Sequence, residues 1–379
     1  MKTTQKQWIE SAGWRSISSN GISEKAQVVF LFGERKILND KNRLDEVRRY
    51  YPTAHIIGCS TAGEIVGPYV YDNSMTATAV FFEDTPLMFS QASVANMTDA
   101  YEAGRQLAEG LKHDGLVHVF VLSDGLNVNG SALAKGLRSR LPDGVSVTGG
   151  LAGDQGRFEE TLVVLDENCG KQTIAAIGLY GNAVKIGYGS KGGWDSFGPD
   201  RLVTRSKANV LYEFDNQPAI ELYKTYLGEQ AAGLPATGML FPLSLSLEGK
   251  DERLVRTILA VNEKEGSMTF AGDIPEGCYA RLMKANMERL ADGAAESAKD
   301  SKKTGSANPD LAILISCVGR KLVLRQRTDE EVENVQNVLG KQAALTGFYS
   351  YGEICPVDPH DKKAELHNQT MTITTFCEE

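Results

Sequence analysis

A chain of 379 residues is too long for a single core and suits two domains of ordinary size. Hydrophobic residues at 42% and charged residues at 23% are those of a globular protein with a sizeable core. The formal net charge of −9, without any clustered run of Lys and Arg, argues against nucleic acid as a partner.

The longest apolar stretches, Leu116–Leu122 and Leu311–Val318, fall well short of the roughly 20 residues that cross a bilayer, so no membrane association is expected. Met1–Trp8 carries no apolar signal core, and the six cysteines are scattered without a C-x-x-C pair. Reduced thiols and a cytoplasmic location are the expectation.

In chain order, Val28–Phe32 reads as a buried strand, and Leu44, Val47 and Tyr51 place an apolar stripe on a helix entered at Asn39-Asp40. After the apolar His55-Ile56-Ile57 comes a glycine-marked turn, Gly58-Cys59-Ser60-Thr61-Ala62-Gly63. Such a turn accepts positive φ and leaves backbone N–H groups open to a bound group. Ile65–Tyr71, Thr76–Phe82 and Leu87–Val94 follow as consecutive strands, which predicts antiparallel pairing. A helix capped by Thr98 carries Leu107, Ala108 and Leu111. The strand Val117–Leu122 then ends at Ser123-Asp124-Gly125, and a helix runs from about Ser131 to Arg140. A second glycine turn, Thr148-Gly149-Gly150-Leu151-Ala152-Gly153-Asp154, precedes strands at Thr161–Leu165, Thr173–Leu179 and Val184–Gly189.

The helix Ala219–Tyr226 is the expected hinge, followed by a Gly- and Ala-rich connection over Gly228–Gly238. Beyond it come strands near Leu254–Val261 and Ser267–Phe270, a helix near Arg281–Ala298, and an exposed loop over Asp300–Asp310. Leu311–Cys317 is a buried strand. Thr328-Asp329-Glu330-Glu331 reads as a capping box opening a helix with Val332, Val335, Val338 and Leu339 on one face. Thr370–Phe376 closes as a β-branched strand, and no internal repeat of short period is visible. The expected class is α/β (α+β), with mixed, partly antiparallel sheets flanked by helices in two domains, 25–220 and 221–379.

The two glycine turns resemble the N-terminal FIST domain (F-box and intracellular signal transduction). Three segments resemble the FIST C-terminal domain: Gly272–Gly277, Ser316-Cys317-Val318-Gly319-Arg320, and Gly347–Glu353 with Leu366–Thr370. The resemblance covers about residues 25 to 376. It implies an intracellular sensor of small ligands that feeds two-component or cyclic-dinucleotide signalling. Some stand-alone bacterial members resemble haem-binding nitric oxide sensors that act on a histidine kinase. No kinase ATP motif, receiver or helix-turn-helix is apparent, so the resemblance implies an output partner in trans.

Gly58–Ala62 departs from the nucleophile elbow G-x-S-x-G only at position 62. An enzyme using Ser60 or Cys59 also needs a histidine and an acid, which nothing in the sequence favours. A ligand-lining or structural turn, and no enzyme, is therefore the expectation. Asp124 and Asp154 read equally as turn caps or ligand contacts. Neither a Walker lysine nor G-x-G-x-x-G accompanies the glycines, which speaks against nucleotide.

His118, inside an apolar strand, reads as core; His55 and His113 sit at element ends, and His360 follows a proline turn. His367, within Leu-His-Asn-Gln-Thr, either joins a buried hydrogen-bond network or presents an imidazole to a ligand or to haem iron. Arg320 can hold a carboxylate in two parallel bonds, and Phe348, Tyr349, Tyr351 and Glu353 can line a pocket; strand packing is the other reading. A site built from Arg320, Tyr349, Tyr351, Glu353, His367 and Asn368, closed by Ser60 and Asp154, predicts an amino acid or another small carboxylate as ligand. Haem with nitric oxide, ligated by His367, is the alternative.

Overall fold

The computed structural model describes every residue except 20, 23, 247–252 and 358–361. One local order recurs three times along the chain. The opening strands are Val28–Gly33, Leu116–Ser123 and Leu311–Cys317. Each runs into helix and returns as a parallel neighbour: His55–Ser60, Ser146–Leu151 and Ala344–Ser350. A later strand then adds antiparallel on the other side of the opener: Ser74–Phe81, Thr173–Tyr180 and Met371–Glu378. The openers are covered on both faces, which is why they read as unbroken apolar runs. The returning helices Lys41–Tyr50, Gly130–Arg138 and Thr328–Leu339 bury one stripe each, through Val47, through Leu133 and Leu137, and through Val332 and Val335.

The hairpin after each returning strand leaves its own sheet. Glu64–Val66 pairs with Thr346–Phe348 of the third repeat, and Val163–Leu165 with Ile57–Cys59 of the first. Gly352 and Ile354 pair with Leu151 and Gly149 of the second. This exchange closes a ring of three sheets. It corrects the expected antiparallel succession after the first turn, because Glu64–Val66, Ser74–Phe81 and Leu87–Ser93 enter three different sheets. Alternating burial identifies a strand but does not name its neighbour.

The third repeat is interrupted between Val184–Lys191 and the helix Met287–Thr304. The insertion, from Asp195–Lys207 to Tyr279–Lys284, is a β-rich module with its own sheet and a core that includes Leu211, Phe214, Tyr223 and Phe270. The helix expected near Ala219 forms as Ala219–Leu227 and packs into that core. The chain enters the module at Gly192-Gly193 and leaves it at Ala285-Asn286, so the root lies there. The expected division near residue 220 falls inside the module. The sheets join residues from both sides of it, as where Val184–Lys191 pairs with Met371–Glu378. The class is α/β, with mixed sheets flanked by helices. Among the described residues no helix is long and apolar enough to cross a membrane.

Candidate functional site

The glycine turns meet at the centre of the ring. In the three parallel pairs Leu31 faces Gly58, Val121 faces Gly149 and Leu314 faces Gly347. A Cβ on these glycines would lie 1.9, 1.8 and 1.9 Å from the facing carbonyl oxygens. Close strand approach, rather than a ligand, demands glycine there. The loops then bond to one another in a cycle. Ala62 N–H donates to the Tyr349 carbonyl at 2.8 Å, Gly153 N–H to that of Ser60 at 2.9 Å, and Tyr351 N–H to that of Leu151 at 3.2 Å. Backbone donors expected to face a ligand are thus used in holding the repeats together.

Ser60 is buried, donating to the Gly153 carbonyl at 2.8 Å and accepting from Leu162 N–H at 2.9 Å. Cys59 lies in the core, where burial pushes its thiol well above the ordinary value. Neither has the setting of an activated nucleophile. Asp124 accepts from Leu126 and Asn127 N–H at 2.8 and 2.9 Å and from the Thr161 hydroxyl at 2.8 Å, which is the turn-cap reading. His118 sits between the Ser146 and Thr148 hydroxyls, and burial lowers it to about 3.

Arg320 is corrected from a ligand fork to an internal brace. Its Nε and Nη2 donate to Glu331 Oε2 at 3.0 and 2.7 Å, and Nη2 also donates to the Leu290 carbonyl at 2.7 Å. Nη1 donates to the carbonyls of Gly192 and Gln369, so all five N–H groups are taken. Glu331 also accepts from Ser316 Oγ at 2.9 Å and from the Tyr349 hydroxyl at 2.5 Å. The expected capping box therefore does not form. Thr328 Oγ1 bonds to the Arg325 carbonyl instead, and Glu331 turns inward to balance Arg320.

Glu353 belongs to a second buried group, accepting from Ser350 Oγ at 2.5 Å and Thr370 Oγ1 at 2.9 Å. The first repeat carries the same arrangement: Glu64 accepts from Thr61 Oγ1 at 2.5 Å and Ser74 Oγ at 2.6 Å. Burial raises both carboxyls to about 8. His367 is 6% exposed with Nε2 3.0 Å from the Cys355 carbonyl, and it lines no part of the cavity described below. That setting does not fit an axial ligand to haem. Among the described residues no group of three or more His, Cys, Asp or Glu is placed to hold a metal. His360 lies outside the described residues.

Each repeat's opening strand ends in a segment that faces the glycine loop of the next repeat. At the first junction Asp154, fully buried, takes Arg35 at 3.2 Å and Arg157 at 2.6 Å, and Arg157 also reaches Glu34 at 2.6 Å. This corrects Asp154 from ligand contact to ion-pair centre. At the third junction Lys321 Nζ donates to the Ala62 carbonyl at 2.8 Å and pairs with Asp72. The second junction holds a cavity of about 240 Å³.

Leu126, Val128 and Leu151 form the cavity wall on the ring, and Cys317–Gly319 closes one end. Met239, Thr257 and Phe270 come from the module. Phe158, at φ +55, lays its ring on Tyr351 at 4.4 Å and 15°. A bulky residue in that backbone region is strained, and the stacking holds it there. Met97 and Leu259 stand at the mouth, 46% and 45% exposed. Among the described residues no charged side chain lines the cavity.

Of the eight residues expected at the ligand, only Tyr351 lines this cavity. Asn368 lies just behind it: a Cβ on Gly352 would be 3.5 Å from Asn368 Nδ2 and 3.5 Å from Leu151. Its Oδ1 and Nδ2 have no partner among the described residues. Leu126, Val128, Met239, Thr257 and Phe270 were missed because isolated apolar and hydroxyl residues carry no signal until the fold brings them together.

The FIST N domain matches residues 27–217, and the FIST C domain residues 219–356. An uncharacterised protein of Methanocaldococcus jannaschii is 24% identical, over 84% of this chain and 67% of that protein. A cyanuric acid hydrolase from A. caulinodans aligns over 94% of this chain and 90% of its own, at a TM-score of 0.32 and 7% identity. A likeness that low says nothing about chemistry.

Proposed function

Since the chain belongs to the FIST family, whose domains are small-ligand sensors of signalling proteins, we propose that it binds a small molecule in the second-junction cavity and regulates a separate output protein, such as a histidine kinase. It works by binding rather than turnover, in the cytoplasm. The observation that carries this reading is that the inserted module lies against the ring at that cavity, supplying Met239, Thr257 and Phe270 opposite Leu126 and Val128. A ligand touching both surfaces favours the closed arrangement by its difference in affinity for the two states.

A route to the rest of the molecule supports the reading further. Cys317–Gly319 touches the cavity, and the next residue, Arg320, grips the Gly192 carbonyl at the module's root. A shift of the short helix Val318–Leu324 on ligand binding moves both together.

A thermal-shift screen of amino acids, small carboxylates, neutral aromatics and haem tests the proposal, with hydrogen exchange on each hit. A ligand at about 100 times its Kd stabilises by roughly 2.7 kcal/mol, a clear rise in Tm. Protection is expected in the segments around Gly125–Asn129 and Thr257–Ala271. If no compound raises Tm, the sensor reading fails. A ligand that leaves the autophosphorylation of every candidate kinase unchanged removes the kinase from it.

A further inference from the structure

We infer that the second-junction cavity takes an uncharged, largely apolar molecule of one or two fused rings, and not an amino acid or other small carboxylate. The inference rests on the sensor reading above and names the chemistry of its ligand. An apolar cavity of about 150 Å³ suffices for benzene. The 240 Å³ here has room for a bicyclic compound.

Charge is excluded by what the walls offer. Lys135 and Asp273, just outside, pair with each other at 2.8 Å, and Asp273 also takes the Asn129 amide at 3.2 Å. Arg256, behind the module wall and no part of the cavity lining, donates through Nε to the Asp273 carbonyl at 3.0 Å and through Nη1 to those of Val255 at 3.1 Å and Leu366 at 2.8 Å. A carboxylate or ammonium entering the cavity would lose water and gain no counter-charge.

The polar lining is largely committed as well. Tyr351 hydroxyl donates to the Gln155 carbonyl at 3.1 Å and accepts from Phe158 N–H at 3.2 Å. Asn129 Oδ1 accepts from Ala132 N–H at 3.1 Å, and Asn209 Nδ2 donates to the Phe270 carbonyl at 2.8 Å. Thr257 Oγ1 has no partner among the described residues. What remains for a ligand, at Thr257 and Asn209, is neutral. Met97 and Met239, flexible thioethers, can settle against a flat ring.

Indole and tryptophan share one ring system and differ in the charged groups, so they separate the two ligand classes. Calorimetric titration and thermal shift on the full chain should give indole a Kd at least tenfold below that of tryptophan. Ala271→Trp, filling the cavity from the module side, should abolish indole binding while circular dichroism shows the fold intact. Leu126→Trp, from the ring side, serves if that variant does not fold. Tryptophan binding as tightly as indole, and equally lost in Ala271→Trp, overturns the uncharged class while the sensor reading stands. Indole binding untouched by both plugs overturns the cavity assignment. If indole, phenol and naphthalene all fail to bind, the inference falls, and the broad ligand screen alone then judges the sensor reading.

Discussion

The first and second junctions of the ring begin from the same backbone and fill their interiors differently. Glu34 caps its segment through Lys36 and Ile37 N–H at 2.7 and 3.3 Å, and Asp124 caps the equivalent one through Leu126 and Asn127 N–H at 2.8 and 2.9 Å. The next residue is Arg35 in one and Gly125 in the other. Arg35 reaches Asp154, and with Arg157 and Glu34 the first junction closes over a block of charge. At Gly125 a Cβ would meet the Ala152 carbonyl oxygen at 1.9 Å and the Tyr351 ring at 3.1 Å, so no side chain can enter. The cavity exists because a side chain is withheld, and the equivalent charged junction is sealed because one is supplied.

The largest effect should come from the Arg320–Glu331 pair, one residue from the third junction, where charge is buried without access to water. Arg320→Ala leaves Glu331 buried and uncompensated, which should cost about 3–5 kcal/mol in urea unfolding. A folded variant of wild-type stability that binds ligand more weakly would return Arg320 to the ligand site.

The buried acids extend the comparison, since the first and third loops carry Glu64 and Glu353 while Val163 holds the corresponding register in the second. Burial raises both carboxyls to about 8, whereas an unfolded Glu titrates near 4.3. Between those values the folded state holds more protons than the unfolded one, so their stabilising share is complete below about pH 4.3 and is lost as pH rises through 8. The slope approaches roughly 1.4 kcal/mol per pH unit for each acid, or about 2 kcal/mol between pH 6 and 8. Glu64→Gln and Glu353→Gln should each flatten the fall of Tm with pH. An unchanged slope in both would show that the carboxyls stay ionised in the fold.

Emptying the first junction should cost less than breaking the buried Arg320–Glu331 pair. Arg35 and Arg157 are 15% and 29% exposed and can turn to water once Asp154 is gone. Asp154→Ala should therefore lose about 2 kcal/mol, mainly from the Glu159 and Glu160 N–H groups left unpaired. A loss as large as that of Arg320→Ala would remove the distinction between a partly exposed and a fully buried ion pair. Smallest of all, Tyr351→Phe should cost about 1 kcal/mol by freeing the Gln155 carbonyl and Phe158 N–H. Because the ring stays on Phe158, indole affinity should stay within about twofold of wild type. A larger loss would mean that the hydroxyl itself meets the ligand.

Much of this was legible residue by residue. The strands Val28–Gly33 and Leu311–Cys317 and the helix at Thr328–Leu339 form where the sequence places them, whereas Gly58–Ser60 and Thr148–Leu151, read as turns, continue their strands. Arg320 and Glu331 were legible as polar residues and misassigned in role, one as a ligand fork and the other as a cap. Their partnership spans a helix turn and two packed elements, and no local spacing announces it. The candidate site was legible only at Tyr351, because its other walls are contributed a few residues at a time, most of them apolar, by widely separated stretches of the chain.

By itself the sequence determined the family and the α/β class, since apolar periodicity is written over a few residues at a time. Only the tertiary structure decided that three repeats exchange hairpins into a ring, that the module rooted at Gly192-Gly193 interrupts the third, and that ring and module enclose a cavity at the second junction. The exchange is invisible locally because a strand with one apolar face accepts any complementary sheet edge. The cavity is invisible for a related reason: empty space is a property of which side chains fail to meet, and that is settled only when distant segments pack.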